Sequence, residues 1–148
     1  MVYDKACVFD EAEVFDRAWV YGEAMVFGEA QVSDEAEVSG EARIFDKAGV
    51  SGKATVSDKA WVFGKATVCT SAYILSQDDY IVFQNVGSEN GVLTAYRGKD
   101  GNICCNRGCF SGSIDEFEEA VKDTHGDSKI GREYRAIIAA IRIRFEEK

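Results

Sequence analysis

The sequence predicts a mainly β protein: a left-handed parallel β-helix of about four 18-residue coils over residues 1–79, followed by a small α+β domain over 80–148. Three observations carry this expectation. Twelve consecutive hexads run from Val2 to Tyr73 without an insertion. Phe9, Phe27, Phe45 and Phe63 recur at every third hexad, always at the same position within it. After Asp79 the repeat stops, and ordinary strand and helix patterns begin.

Each hexad begins with Val, or with Ile at Ile44, and has Ala at its fifth position, from Ala6 to Ala72. The third position is Asp or Gly except at Thr70, and the fourth is charged except at Ser71. The fifth residue and the first of the next hexad are two apart, so on a strand both point the same way. Being apolar, they face inward. The sixth and second positions then face outward. The third and fourth make a corner, where Asp and Gly accept unusual backbone angles or bond locally to the chain. Three sides close one coil. Coils over 2–19, 20–37, 38–55 and 56–73 stack about 4.8 Å apart into a prism about 19 Å tall. The thirteenth hexad, Ile74 to Asp79, is already degenerate.

Beyond it, Tyr80–Val86 and Gly91–Arg97 read as strands. Lys99, Asp100, Gly101 and Asn102 turn into a third, Ile103–Arg107. Ser113 with Glu116 makes a capping box before a helix whose apolar face is Ile114, Phe117, Ala120 and Val121. A second helix begins near Gly131, with a stripe of Tyr134, Ile137, Ile138, Ile141 and Phe145. This unit is expected to cap the last coil, which would otherwise expose its core and strand edges.

The net charge is −9, which disfavours direct contact with nucleic-acid phosphates. It is unevenly spread. Residues 1–41 hold eleven acidic and two basic side chains, whereas 42–75 hold two acidic and five basic. No apolar run approaches the roughly 18–20 residues of a membrane span, and the N-terminal stretch does not read as a secretory leader. Five cysteines without disulfide-framework spacing point to reduced thiols and a cytoplasmic setting.

The hexads resemble those of the hexapeptide-repeat superfamily, which includes acyltransferases built on left-handed β-helices. The likeness covers 2–79 and implies a fold more than a function. This regular form of the repeat also resembles long arrays in bacterial and phage proteins of unknown function. The stretch from Gly108 to Ile138 is similar to a module of phage and prophage proteins, on Gly108, Cys109, Phe110, Gly112, Phe117, Thr124, His125, Gly126 and Asp127. These likenesses imply a phage origin, and hence the cytoplasm of a host cell, but no particular chemistry.

Enzymatic readings are disfavoured. The superfamily's acyltransferases generally use a histidine near a corner and an extruded loop, and this array has neither. The single histidine, His125, lies outside it; a β-helix carbonic anhydrase needs three. Cys104, Cys105, Cys109 and His125 are zinc-donor types, yet adjacent cysteines on a strand point to opposite faces. No metal and no cofactor is expected. Cys109, His125 and Asp127 form a conceivable ligand site or nucleophile, base and orienter. The blander reading ends a helix at Thr124, with Gly126 as the left-handed cap.

The outward columns are more informative. On one side they read Cys7/Phe9, Met25/Phe27, Arg43/Phe45 and Trp61/Phe63. An apolar patch of a few hundred Å² is seldom left wet. Phe9, Met25, Phe27, Phe45, Trp61 and Phe63 are therefore expected to be an interface, in a homo-oligomer (dimer or trimer) or with a partner. The alternatives are a mere stiffening ladder or cover from the last helix. Asp4, Asp10, Glu11, Asp16, Glu29, Asp34 and Glu35 mark an acidic end suited to a basic protein partner, beside a first coil with no visible cap. The expected function is a non-enzymatic protein-binding module. Its most concrete version is a phage-encoded inhibitor of a nucleic-acid-binding host defence protein, such as a CRISPR effector. A self-assembling scaffold is the second reading and an acyltransferase-like enzyme the third.

Overall fold

The computed structural model describes residues 1–87, 89–108 and 110–146. Twelve two-residue strands follow one another: β1 (Cys7–Val8), β2 (Glu13–Val14), β3 (Trp19–Val20), β4 (Met25–Val26), β5 (Gln31–Val32), β6 (Glu37–Val38), β7 (Arg43–Ile44), β8 (Gly49–Val50), β9 (Thr55–Val56), β10 (Trp61–Val62), β11 (Thr67–Val68) and β12 (Tyr73–Ile74). They stack as three parallel sheets, β1-β4-β7-β10, β2-β5-β8-β11 and β3-β6-β9-β12. The register advances by three hexads per coil, with Cys7 beside Met25 and Val8 beside Val26. The chain is thus a four-turn parallel β-solenoid with the hexad boundaries read from the sequence.

The core follows the pattern. From Ala18 to Ile74, every first-position Val or Ile and every Ala is buried. In the first coil, Ala6, Val8, Ala12 and Val14 are only partly buried. All twelve third-position residues have positive φ, from 52° at Thr70 to 69° at Gly22. This is the left-handed region that Gly enters freely and Asp more readily than most residues. Each turn is closed by the alanine N–H, as from Ala12 to Phe9 O at 3.3 Å. Successive coils are tied by N–H groups of the second, fourth and sixth positions, as in Phe9 to Val26 O, Glu11 to Gly28 O and Glu13 to Ala30 O, each 3.0 Å.

A short 3-10 turn, Gln77–Asp79, capped by Ser76, leads out of the solenoid. An antiparallel sheet follows in the order β13 (Tyr80–Val86), β14 (Gly91–Arg97), β15 (Ile103–Arg107), β16 (Phe110–Ser113). The fourth strand has no counterpart in the sequence reading: Phe-Ser-Gly-Ser has no alternation to announce it, and pairing with β15 supplies the reason it is extended. Helix α1 (Ile114–His125) is capped by Ser113, which accepts from the Glu116 N–H. Helix α2 (Lys129–Arg144) starts two residues before Gly131, at a Ser128 cap.

The sheet lies between solenoid and helices. Tyr80, Val82, Tyr96 and Cys104 pack on the solenoid core, while Ile81, Phe83, Leu93, Ala95 and Cys105 pack with Ile114, Phe117, Tyr134, Ile138 and Ile141. The alternation of a strand thereby serves two cores. The sheet also completes the last coil's hydrogen bonding with side chains. Gln77 Oε1 accepts from Trp61 N–H, and Thr94 Oγ1 accepts from Thr67 N–H at 3.1 Å. Tyr80 OH donates to Trp61 O at 2.6 Å, and Asn106 Nδ2 donates to Thr67 O at 2.9 Å. Backbone groups that a fifth coil would have engaged are met by the plug, as buried polar groups require. Helix α2 packs on the far face of this sheet, so the alternative that it covers the aromatic side of the solenoid does not hold, although Arg144 at its end lines a pocket with Phe63.

Candidate protein interface

On the first side, the phenyl rings of Phe9, Phe27, Phe45 and Phe63 stack with centroids 4.9, 5.1 and 5.1 Å apart and planes within 6° of parallel. Trp61 meets Phe45 edge-on at 6.0 Å, and the Arg43 guanidinium lies 5.3 Å over the Trp61 ring. The ladder is straight, without the twist of an open sheet. Stacking shields its middle, leaving Phe27, Phe45 and Met25 half-buried, but Phe9 and Phe63 are each 41% exposed and Trp61 43%. At the last coil the ladder meets the C-terminal unit: Phe63 borders a pocket also lined by Gln77, Tyr80 and Arg144. The six residues singled out by sequence therefore do form one continuous surface.

The acidic end divides into two kinds of carboxylate. The Oδ2 atoms of Asp4, Asp10, Asp34 and Asp46 accept from the N–H of Gly22, Gly28, Gly52 and Gly64, one coil on, at 3.0–3.3 Å. Asp4, Asp10 and Asp34 thus also pin one coil to the next, while remaining exposed. Asp16 is followed one coil later by Asp34 instead of Gly, and among the described residues it makes no such bond. Glu11, Glu29 and Glu35 sit at fourth positions, exposed. The signal that separates the groups is in the sequence, Asp at one corner and Gly three hexads later, but it becomes meaningful only once the coils are stacked.

A second side, whose outward column begins Tyr3, Trp19 and Tyr21, was legible in the sequence but not singled out as a site. On the third sheet's side, the Tyr3 and Tyr21 rings stack at 5.2 Å and Trp19 meets Tyr3 edge-on at 6.2 Å. Trp19 is 44% exposed, and with Arg17, Glu35 and Glu37 it lines a shallow groove of about 220 Å³. Among the described residues, neither carboxylate has a cation within 4 Å. Two carboxylates without a cation within 4 Å, beside an exposed indole, suit a guanidinium or ammonium group.

Of the C-terminal candidates, His125 and Asp127 are described. Cys109 lies outside the described residues. His125 ends α1 with its ring 5.8 Å from that of Tyr134, at the wall of a cavity of about 240 Å³ also lined by Arg107, Phe110 and Phe117. Asp127 turns away to Arg135 at 3.3 Å. Gly126 caps the helix through its N–H to Lys122 O; its φ of 52° is positive, but with ψ at −130° it is not the left-handed helical cap expected. Cys104 and Cys105 face opposite sides of the sheet, toward solenoid and helices respectively. Burial pushes the Cys105 thiol up to about 12, with nearby charge at Cys104 and Glu116 adding to it. Burial likewise pushes the Tyr96 phenol well up. That phenol belongs to a small polar cluster that sequence reasoning passed over, in which Asn106 Oδ1 accepts from Tyr96 OH at 3.0 Å and from the Cys69 thiol at 3.3 Å.

Compared with known proteins, the chain matches no family model, no curated protein and no solved structure. Among the described residues, no helix is long and apolar enough to cross a membrane.

Proposed function

We propose that this chain is a non-enzymatic protein-binding module that places the acidic half of its solenoid against a basic surface of a partner. The observation that carries the reading is the groove beside Trp19, where Glu35 and Glu37 are held unpaired next to an exposed indole. A rigid solenoid presents these groups without ordering cost on binding, and complementary charge favours encounter with a basic partner. The narrower reading, a phage-encoded inhibitor that occupies the nucleic-acid surface of a host defence protein such as a CRISPR effector, draws on the likeness of the C-terminal stretch to phage modules.

A fluorescently labelled octa-arginine peptide, titrated with the whole protein over a range of salt concentrations, tests the surface. Glu35→Lys with Glu37→Lys, and separately Trp19→Ala, should weaken binding about tenfold or more, equivalent to about 1.4 kcal/mol. Glu119→Lys with Asp123→Lys on α1 changes the net charge equally and should have a much smaller effect. Equal losses from both charge pairs would reduce the interaction to bulk charge and refute the site.

A further inference from the structure

We propose that the cavity between β15, β16 and the two helices binds a small aromatic carboxylate, held by the Arg107 guanidinium beside a cluster of aromatic rings. The cavity lies on the face of the sheet turned away from the solenoid, so the inference stands independently of what the Trp19 groove binds.

Strand alternation and the reach of one side chain build the site. Along β15, Cys105 packs with the helices and Asn106 bonds to the solenoid, so Arg107 returns to the helical face. Its side chain crosses the start of β14 and lies over Gly91, where a Cβ would come within 2.4 Å of Cζ. A residue larger than glycine would displace the guanidinium. Beyond Gly91, Nη2 donates to Val86 O at 3.4 Å, long for such a bond. Nε is buried and, among the described residues, has no hydrogen-bond partner. No carboxylate among them lies within 4 Å of Arg107, whereas Arg97, Arg135 and Arg142 each have one. A buried donor on a charged group is costly to leave unpaired, and native proteins seldom leave one without a functional reason. Arg107 also lines the cavity of about 240 Å³, which gives an anion a way to reach it.

The rest of the wall selects the body of the ligand. The Phe110 and Phe117 rings lie 5.2 Å apart, and Tyr134 stands edge-on to Phe117 at 5.4 Å. Such a cluster accepts a further ring edge-on or offset. His125 closes one wall, 5.8 Å from the Tyr134 ring, and brings a second polar group. The cavity is smaller than the roughly 300–1,000 Å³ of pockets for drug-sized ligands, so one ring with one charged group is the size that fits. Glu89, exposed on the same wall, opposes a dianion more than a monoanion. A carboxylate carries the single charge, and its two oxygens match the fork of a guanidinium.

Sodium benzoate is the probe. Titrated into the isotopically labelled whole protein at constant ionic strength, it should shift the Arg107 Nε–H resonance and the amide signal of Phe110, with a Kd on the order of 0.1–1 mM. Two variants should each weaken binding at least tenfold. Arg107→Gln removes the charge. Ala120→Leu adds bulk to the cavity from α1 while leaving the guanidinium in place, and it keeps the test open if the first variant does not fold. Benzyl alcohol, the ring without the charge, and inorganic phosphate, the charge without the ring, should each bind at least tenfold more weakly than benzoate. The absence of any shift at about 20 mM benzoate overturns the proposal. So does benzyl alcohol or phosphate binding as tightly as benzoate, or a folded Ala120→Leu protein binding as tightly as the wild type.

Discussion

Asn106→Ala is expected to loosen the plug that closes the solenoid. Asn106 Nδ2 donates to Thr67 O at 2.9 Å, and Oδ1 accepts from Tyr96 OH at 3.0 Å. A backbone carbonyl can only accept, so the orientation of this amide is fixed by Thr67. The residue is 7% exposed, so water cannot readily replace what it provides. Alanine leaves the Thr67 carbonyl without a partner, at about 1–3 kcal/mol. Tyr96 loses its shorter bond but keeps the Thr70 hydroxyl at 3.3 Å, adding about 1 kcal/mol or less. The sum is about 1–4 kcal/mol, to be read from urea unfolding followed by circular dichroism, with a lower midpoint and an unchanged slope. Thr94→Val, which removes the acceptor for Thr67 N–H, should cost about 1–2 kcal/mol. The two changes should be non-additive because both act on Thr67. A loss below about 0.5 kcal/mol for Asn106→Ala would show that the plug is held by apolar packing alone and that its polar side chains do not stand in for a fifth coil.

Other outcomes follow from particular contacts. Gly52→Ala should destabilise by about 1–2 kcal/mol or more, because φ is +63° and a Cβ there would lie 2.7 Å from Thr70 N; a neutral result in thermal unfolding would mean the coils can part to admit it. The Cys105 thiol is pushed up to about 12 in the folded protein, above its unfolded value of about 8.5. Its contribution is therefore intact below about pH 8.5 and is lost as pH rises toward 12, by up to about 1.4 kcal/mol per pH unit. Cys105→Ala should flatten the alkaline fall in stability, and an unaltered slope would contradict this. Arg142, which pairs with Asp115 and Glu118 at 2.7 and 2.8 Å on an exposed face, should lose no more than about 1 kcal/mol as Arg142→Ala, checked by the same denaturation.

The solenoid was legible because one physical demand repeats at every hexad. An inward Val, an inward Ala and a corner with positive φ leave little choice of residue, so the period shows directly. The plug was legible only in outline. Strands β13, β14 and β15 and both helices carry their own apolar patterns, but β16 owes its extended form to pairing with β15. The polar contacts of Gln77, Tyr80, Thr94 and Asn106 with the last coil join residues 16 to 39 positions apart, and no local pattern announces them. The phenylalanine ladder was visible as a recurrence at every third hexad. The Trp19 groove was not, because its residues come from two coils and two different hexad positions.

The stacked corners change how the charge asymmetry is understood. Third-position aspartates run through the whole array: Asp46 and Asp58 persist in the third and fourth coils, where every charged fourth-position residue after Glu41 is lysine. An acid retained where the surroundings turn basic answers to a local demand, and the bond to a glycine N–H identifies it for Asp46. Among the described residues, the charged fourth-position side chains make no such bond. Under the proposed docking to a basic surface, the charges unconstrained by the corners are Glu11, Glu23, Glu29, Glu35 and Glu41 and sixth-position Glu13 and Glu37, whereas the bonded aspartates also contribute to stability. Asparagine can accept the same N–H and also tolerates positive φ. Asp10→Asn with Asp34→Asn should accordingly change unfolding free energy by less than about 1 kcal/mol and leave octa-arginine binding nearly unchanged. Asp10→Ala with Asp34→Ala should destabilise by about 2 kcal/mol or more, through two lost bonds and two alanines forced to positive φ. If the asparagine pair weakens peptide binding as much as Glu35→Lys with Glu37→Lys does, the division of labour between the two corner positions is wrong and the acidic end acts as one undivided charge.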